Sequence, residues 1–146
     1  MKTTDIYENI ADYKSKTRAE DRYTSFDYCY NYFRTVQGNS LTDDIEKSCL
    51  TLGFYLASWG MFRGSSFLID KSAKHFEPTV RYVAKLDRSI WLIDVDSYEQ
   101  NNIMTIIQIY NDIKNLIITG NNSDLTLITK IMLGVFGFIP AFDKYF

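Results

Sequence analysis

The sequence predicts an all-α protein, a single compact and irregular bundle of about six to seven helices. Three observations carry this. Apolar residues recur at spacings of three and four in successive windows, the period of helices with one face turned inward. No strand-type alternation of any length occurs, and no hairpin dipeptide joins two such runs. A chain of 146 residues fits one domain able to bury a core without staples.

Taken in order, residues 3–16 place Ile6, Ile10 and Tyr13 on one stripe of an otherwise charged surface, a short amphipathic helix. The basic run 14–18 reads as solvated surface. From Asp21 to Val36, Tyr23, Phe26, Tyr30 and Phe33 recur at three and four, and rings on more than one face predict a helix covered on two sides. Gln37-Gly38-Asn39 stops it. Ser40 reads as an N-cap with Asp43 three residues on, and Asp44 and Glu46 follow in the first turn. Ile45, Cys49, Leu52, Leu56 and Trp59 then form one stripe, with Leu50, Phe54, Ala57 and Met61 beside it. Two adjacent stripes predict a wide buried arc, hence the central helix. Gly53 inside it costs roughly 1 kcal/mol against alanine, which a close helix–helix approach explains.

Phe67-Leu68-Ile69 is a short apolar run. Pro78 suits the first turn of another helix, with Val80, Tyr82, Val83 and Leu86 inward. Ile90–Ile93 fits a buried extended piece or the end of that helix, and residues 94–97 read as a break. Ser97–Gln100 repeats the capping-box pattern ahead of Ile103, Ile106, Tyr110, Ile113 and Ile117. Gly120-Asn121-Asn122 ends that helix. Ser123 or Asp124 caps the last long one, with Leu125, Ile128, Met132 and Val135 inward and Gly134 and Gly137 loosening its end. Pro140 starts a final turn that stops at Phe146 in mid-pattern, so the chain is expected to be a truncated or split product.

Composition bounds the chemistry. Sixteen basic and 18 acidic residues leave a net charge of −2, which supplies no global attraction to nucleic acid or anionic lipid. Cys29 and Cys49 are expected to be buried apolar side chains in a reducing cytosol, and no Cys-x-x-Cys pair offers a thiolate zinc site. The polar start Met1–Asp5 has no apolar signal core, and the apolar segments near 103–118 and 125–139 carry too many polar residues to span a membrane. A cytoplasmic protein with no cofactor and no metal is expected. The oligomeric state is left open.

The strongest site candidate is Arg63 with Ser65 and Ser66. A helix ending at glycine and followed by Arg-Gly-Ser-Ser can aim a guanidinium fork, hydroxyls and backbone amides into one pocket, which suits a phosphate or carboxylate. The alternative is helix punctuation, with Arg63 on the last carbonyls of the central helix and a serine capping the next. Gly-Lys-Ser/Thr is absent, so this is not a P-loop. His75, the only histidine, has no nucleophile elbow and no carboxylate at helical spacing, and reads as a surface or interface residue. Asp94 and Asp96 fit a divalent ion or, more simply, N-capping. Lys130 and Asp143 bracket a glycine-containing junction that loosely resembles helix–hairpin–helix DNA glycosylases. An ion pair between them is the plain alternative.

Arg18–Tyr23, Asp27–Phe33, Phe54–Leu68, His75, Thr129–Gly137 and Pro140–Phe146 together resemble a family of uncharacterised bacterial proteins found in mobile gene cassettes and genomic islands. The block Ala57-Ser58-Trp59-Gly60-Met61-Phe62-Arg63-Gly64-Ser65-Ser66 is its most specific part. The resemblance covers essentially the whole chain and implies an accessory role in defence or stress, with further helices beyond Phe146. Two functional expectations follow. The first is a binding protein that takes a protein partner or small anionic ligand at Arg63–Ser66. The second is an enzyme or nucleic-acid-acting protein using Arg63, Lys130 and Asp143 in one cleft, a reading the charge does not favour.

Overall fold

The structure, a computed structural model, describes residues 3–36, 38–120 and 122–143, the side chains of Thr3 and Thr4 excepted. Its helices are α1 (Thr3–Lys16), α2 (Ser25–Thr35), α3 (Ser40–Asp43), α4 (Ile45–Ser58), α5 (Glu77–Val83), α6 (Gln100–Ile117) and α7 (Leu125–Phe136). Short 3-10 turns join them, and no strand occurs among the described residues. The all-α bundle follows from the sequence pattern as expected.

Helix α4 is the hub. It packs against α2, α3, α5, α7 and the 3-10 turn Ala73–Phe76. Cys49, Leu52 and Leu56 of the expected stripe are buried, and Ile45 and Trp59 lie half-buried against the core. Each fully buried leucine contributes about 2 kcal/mol of transfer free energy. The second stripe is a correction: Leu50 and Phe54 are 60% and 68% exposed, and Ala57 is exposed too. The arc widens on the other side, through Ser48, Thr51, Tyr55 and Ser58. Ser48 and Ser58 tolerate that burial because their hydroxyls are bonded, Ser58 Oγ to Phe54 O at 2.9 Å. Ser48 Oγ donates to Leu41 O at 2.8 Å and lies 2.8 Å from Tyr32 Oη.

The helix start also differs. Ser40 is the first residue of the one-turn α3, not a cap for α4. The break at Asp44 lets its carboxylate accept from Lys47 N and cap α4. Likewise Ser97 closes a capping box with Asp94 over the 3-10 turn Val95–Ser97, so it does not open α6. Asp94 thus takes its structural role. Ile90–Leu92 belongs to the 3-10 turn Arg88–Leu92, which buries Trp91 and donates its Nε1–H to Val135 O at 2.9 Å.

Helix α7 is the most enclosed element, with all but three of its residues buried. Gly134 does not loosen it. A Cβ there would stand 2.3 Å from Tyr55 Cε1, so the missing side chain is what lets α4 and α7 meet. Gly137 ends α7 in the left-handed conformation, φ +77°. Gly53 has the related role of admitting the Phe76 ring, 3.2 Å from its virtual Cβ. Residues 133–136 form the last turn of α7 rather than a hairpin between helices. Residues 140–143 have no regular secondary structure rather than a helical turn, and 144–146 lie outside the described residues, as does Gln37 of the expected α2 stop.

Candidate functional site

The site is built around the end of α4. Gly60, at φ +80°, turns the chain so that Met61 N bonds Leu56 O at 2.9 Å and Gly60 N bonds Ala57 O at 3.0 Å. This is a Schellman closure with the apolar Met61 folded back. The carbonyls that follow along the chain are taken by side chains, two of them from distant elements. Arg22 Nε donates to Ser58 O at 2.6 Å, Lys130 Nζ to Trp59 O at 3.0 Å, and Ser66 Oγ to Met61 O at 2.6 Å. Two cations at the negative end of the helix offset its macrodipole. Ser66 Oγ also accepts from Leu68 N at 3.3 Å, capping the 3-10 turn Phe67–Asp70.

One half of the punctuation reading therefore holds, for Ser66, and the other does not. The Arg63 carbonyl accepts from Ser66 N at 3.3 Å, but its guanidinium has neither hydrogen bond nor ion pair among the described residues. Its guanidinium folds over Gly60, where a Cβ would stand 2.8 Å from Arg63 Cζ. A Cβ there would displace this flexible side-chain end, and only glycine takes that backbone angle without strain.

Arg63, Ser65, Ser66, Lys130 and Asp143, the five residues singled out from the sequence, line one cavity of about 560 Å³. Asn122, Ser123 and Thr126 complete its polar wall. These belong to the approach and first turn of α7. Asp124 stands at the N-cap of α7 but does not cap it. Its carboxylate instead accepts from Tyr110 Oη at 3.1 Å and pairs with Lys114, which holds it below the usual carboxylate range. The positive end of α7 thus borders the cavity without a carboxylate cap.

Lys130 is bound rather than available. Its side chain is 7% exposed, and besides Trp59 O it meets Asp143 Oδ2 at 3.2 Å, the ion pair expected from the sequence. The segment carrying Asp143 is tied down on the same face of α7. Thr126 Oγ1 donates to Phe142 O at 2.9 Å, and Phe142 N donates to Thr129 Oγ1 at 3.0 Å. Thr129 escaped the sequence reading. Its only signal is the three-and-one spacing of Thr126, Thr129 and Lys130, which puts polar groups on one side of an apolar helix.

The remaining candidates lie elsewhere. His75 is half-buried between the rings of Phe67 and Phe76, with Nε2 at 3.0 Å from Ile117 O. Burial pushes its pKa below the ordinary value, and Lys71 adds to this against the Ile117 bond. Both cysteines are buried, as expected, and burial pushes the Cys49 thiol up to about 11 and Cys29 further.

No protein-family model, curated protein or solved structure matches the chain. Among the described residues no helix is long and apolar enough to cross a membrane.

Proposed function

We propose that the protein binds a small anion, a phosphate or carboxylate group, in the cavity between the 60–66 turn and the first turn of α7. One observation carries the reading: Arg63 stands on the cavity wall with its guanidinium uncommitted among the described residues, while the carbonyls of Ser58 and Trp59 at the end of α4, which it was expected to cap, are held by Arg22 and Lys130. A planar fork of donors beside serine hydroxyls and a helix N-terminus suits an oxyanion. Asp143, on the opposite charge balance, restricts the ligand to one that presents its anionic group to Arg63. The family resemblance adds an accessory role of the kind mobile cassettes carry.

The enzyme reading asks Lys130 to act on a ligand. Its ammonium is occupied by Trp59 O and Asp143, which supports a structural role for it and favours binding over catalysis. The test is calorimetric titration with inorganic phosphate and with citrate. Binding to the wild type that weakens at least about tenfold in Arg63→Gln, with the melting temperature unchanged, supports the proposal. Equal affinity in both proteins, no heat in either, or a variant that simply melts earlier contradicts it.

A further inference from the structure

The cavity beside Arg63 is larger than an inorganic anion needs. At about 560 Å³ it falls in the range of roughly 300–1,000 Å³ that holds organic ligands. Its donors, however, are few. Lys130 Nζ is committed to Trp59 O and Asp143, Ser66 Oγ to Met61 O, Thr126 Oγ1 to Phe142 O and Asn122 Nδ2 to Thr119 O. Among the lining side chains the Arg63 guanidinium and the hydroxyls of Ser65 and Ser123 remain. The indole N–H of Trp59 has no partner among the described residues either, but it is buried. This set of donors fits one oxyanion and little more.

Charge narrows the head group. The charged residues of the wall are Arg63, Lys130 and Asp143, and the last two form an ion pair at 3.2 Å. One cation is left over, which suits a single carboxylate held by the guanidinium fork better than a doubly charged phosphate ester. The rest of the wall is apolar. Trp59, Met61 and Phe67 are only half-buried, so this concave surface keeps apolar area in water, and the core side chain Leu127 reaches it as well. A ligand body that covers this area gains by removing it from water. A sugar body would instead lose water from its own hydroxyls against these side chains, which opposes binding.

We propose that the ligand is an organic monocarboxylate with a ring-sized apolar body, its carboxylate on Arg63 and its body against Trp59, Met61 and Phe67. This rests on the anion-binding reading above and adds the class of ligand. Two of those three side chains are rings, which favours an aromatic body that can meet them face to edge. The carboxylate supplies orientation and the body supplies most of the affinity, the usual division in a concave and largely apolar site.

Calorimetric titration of the full chain with acetate, phenylacetate and gluconate compares the bare head group, an apolar body and a polyol body, with inorganic phosphate run alongside. Phenylacetate should bind at least about tenfold tighter than acetate, and gluconate no tighter than acetate. Arg63→Gln should weaken phenylacetate at least about tenfold. Phe67→Ser, or Met61→Ser if the first fails to fold, should bring phenylacetate to within about threefold of acetate. Phenylacetate no tighter than acetate, gluconate the tightest of the three, or a preference unchanged in the folded Phe67 or Met61 variant overturns the proposal. If phosphate still binds through Arg63 in those cases, the anion site itself stands. Phenylacetate binding that ignores Arg63→Gln, or silence from all four probes, overturns both.

Discussion

The ammonium of Lys130 on α7 donates to the carbonyl oxygen of Trp59 at 3.0 Å, so one helix is closed by a side chain from another. The bond also fixes the wall of the cavity, because Trp59 and Lys130 both line it. Lys130→Met removes the donor and leaves a carbonyl unpaired, which costs about 2 kcal/mol. Asp143→Asn costs under ~1 kcal/mol, because that carboxylate is half exposed to water. Urea unfolding of both variants checks the ranking. Equal losses would mean that the ion pair, rather than the carbonyl cap, carries the stability.

Gly134→Ala forces a methyl into the ring of Tyr55. That ring is fully buried and its hydroxyl donates to Lys130 O at 3.0 Å, so it has nowhere to swing. A loss of about 3 kcal/mol is expected, at the upper end for overpacking. Gly53→Ala, facing Phe76 at a larger separation, loses less, because alanine's helix preference offsets part of the strain. A chemical-denaturation pair settles the order.

His75 links stability to mildly acid pH. Its folded pKa lies below the ordinary 6.5, so the unfolded chain binds the proton more readily. Its neutral form therefore contributes fully above about pH 6.5, and the contribution is lost as pH falls from there toward the folded value. Between pH 7.5 and 5.5 the wild type should lose more stability than His75→Gln does. Parallel curves for the two proteins would remove His75 from the account.

The two thiols should be silent in the native state. With both pKa values raised by burial, an aromatic disulfide reagent at pH 8 reacts with neither until the chain is unfolded, and then with both. Fast reaction of one thiol in native buffer would show that its cover opens.

The sequence made α4 legible where hydropathy and burial coincide, at Cys49, Leu52 and Leu56. It misjudged the flank. Leu50 and Phe54 look like core by period, yet the buried side carries Ser48, Thr51 and Ser58, and the hydroxyls of Ser48 and Ser58 find partners that no periodicity reveals. Gly134 was read as a weak point because a close approach depends on which ring lies opposite, here Tyr55 from a helix far away in sequence. The five cavity residues were named because cations and hydroxyls beside glycines stand out in an apolar chain. Which of them is committed was not legible. That depended on Lys130 reaching Trp59 across 71 positions and thereby relieving Arg63 of the cap.

The account turns on Arg63 as the group that meets the ligand. Its Nε–H resonance in a ¹H–¹⁵N spectrum, assigned by its loss in Arg63→Gln, is the most direct reporter. Inorganic phosphate should shift that resonance saturably, together with the amides of Ser65 and Thr126, and leave the Arg81 side chain unmoved. A titration in which Arg63 Nε–H stays in place while the rest of the spectrum responds would contradict the account.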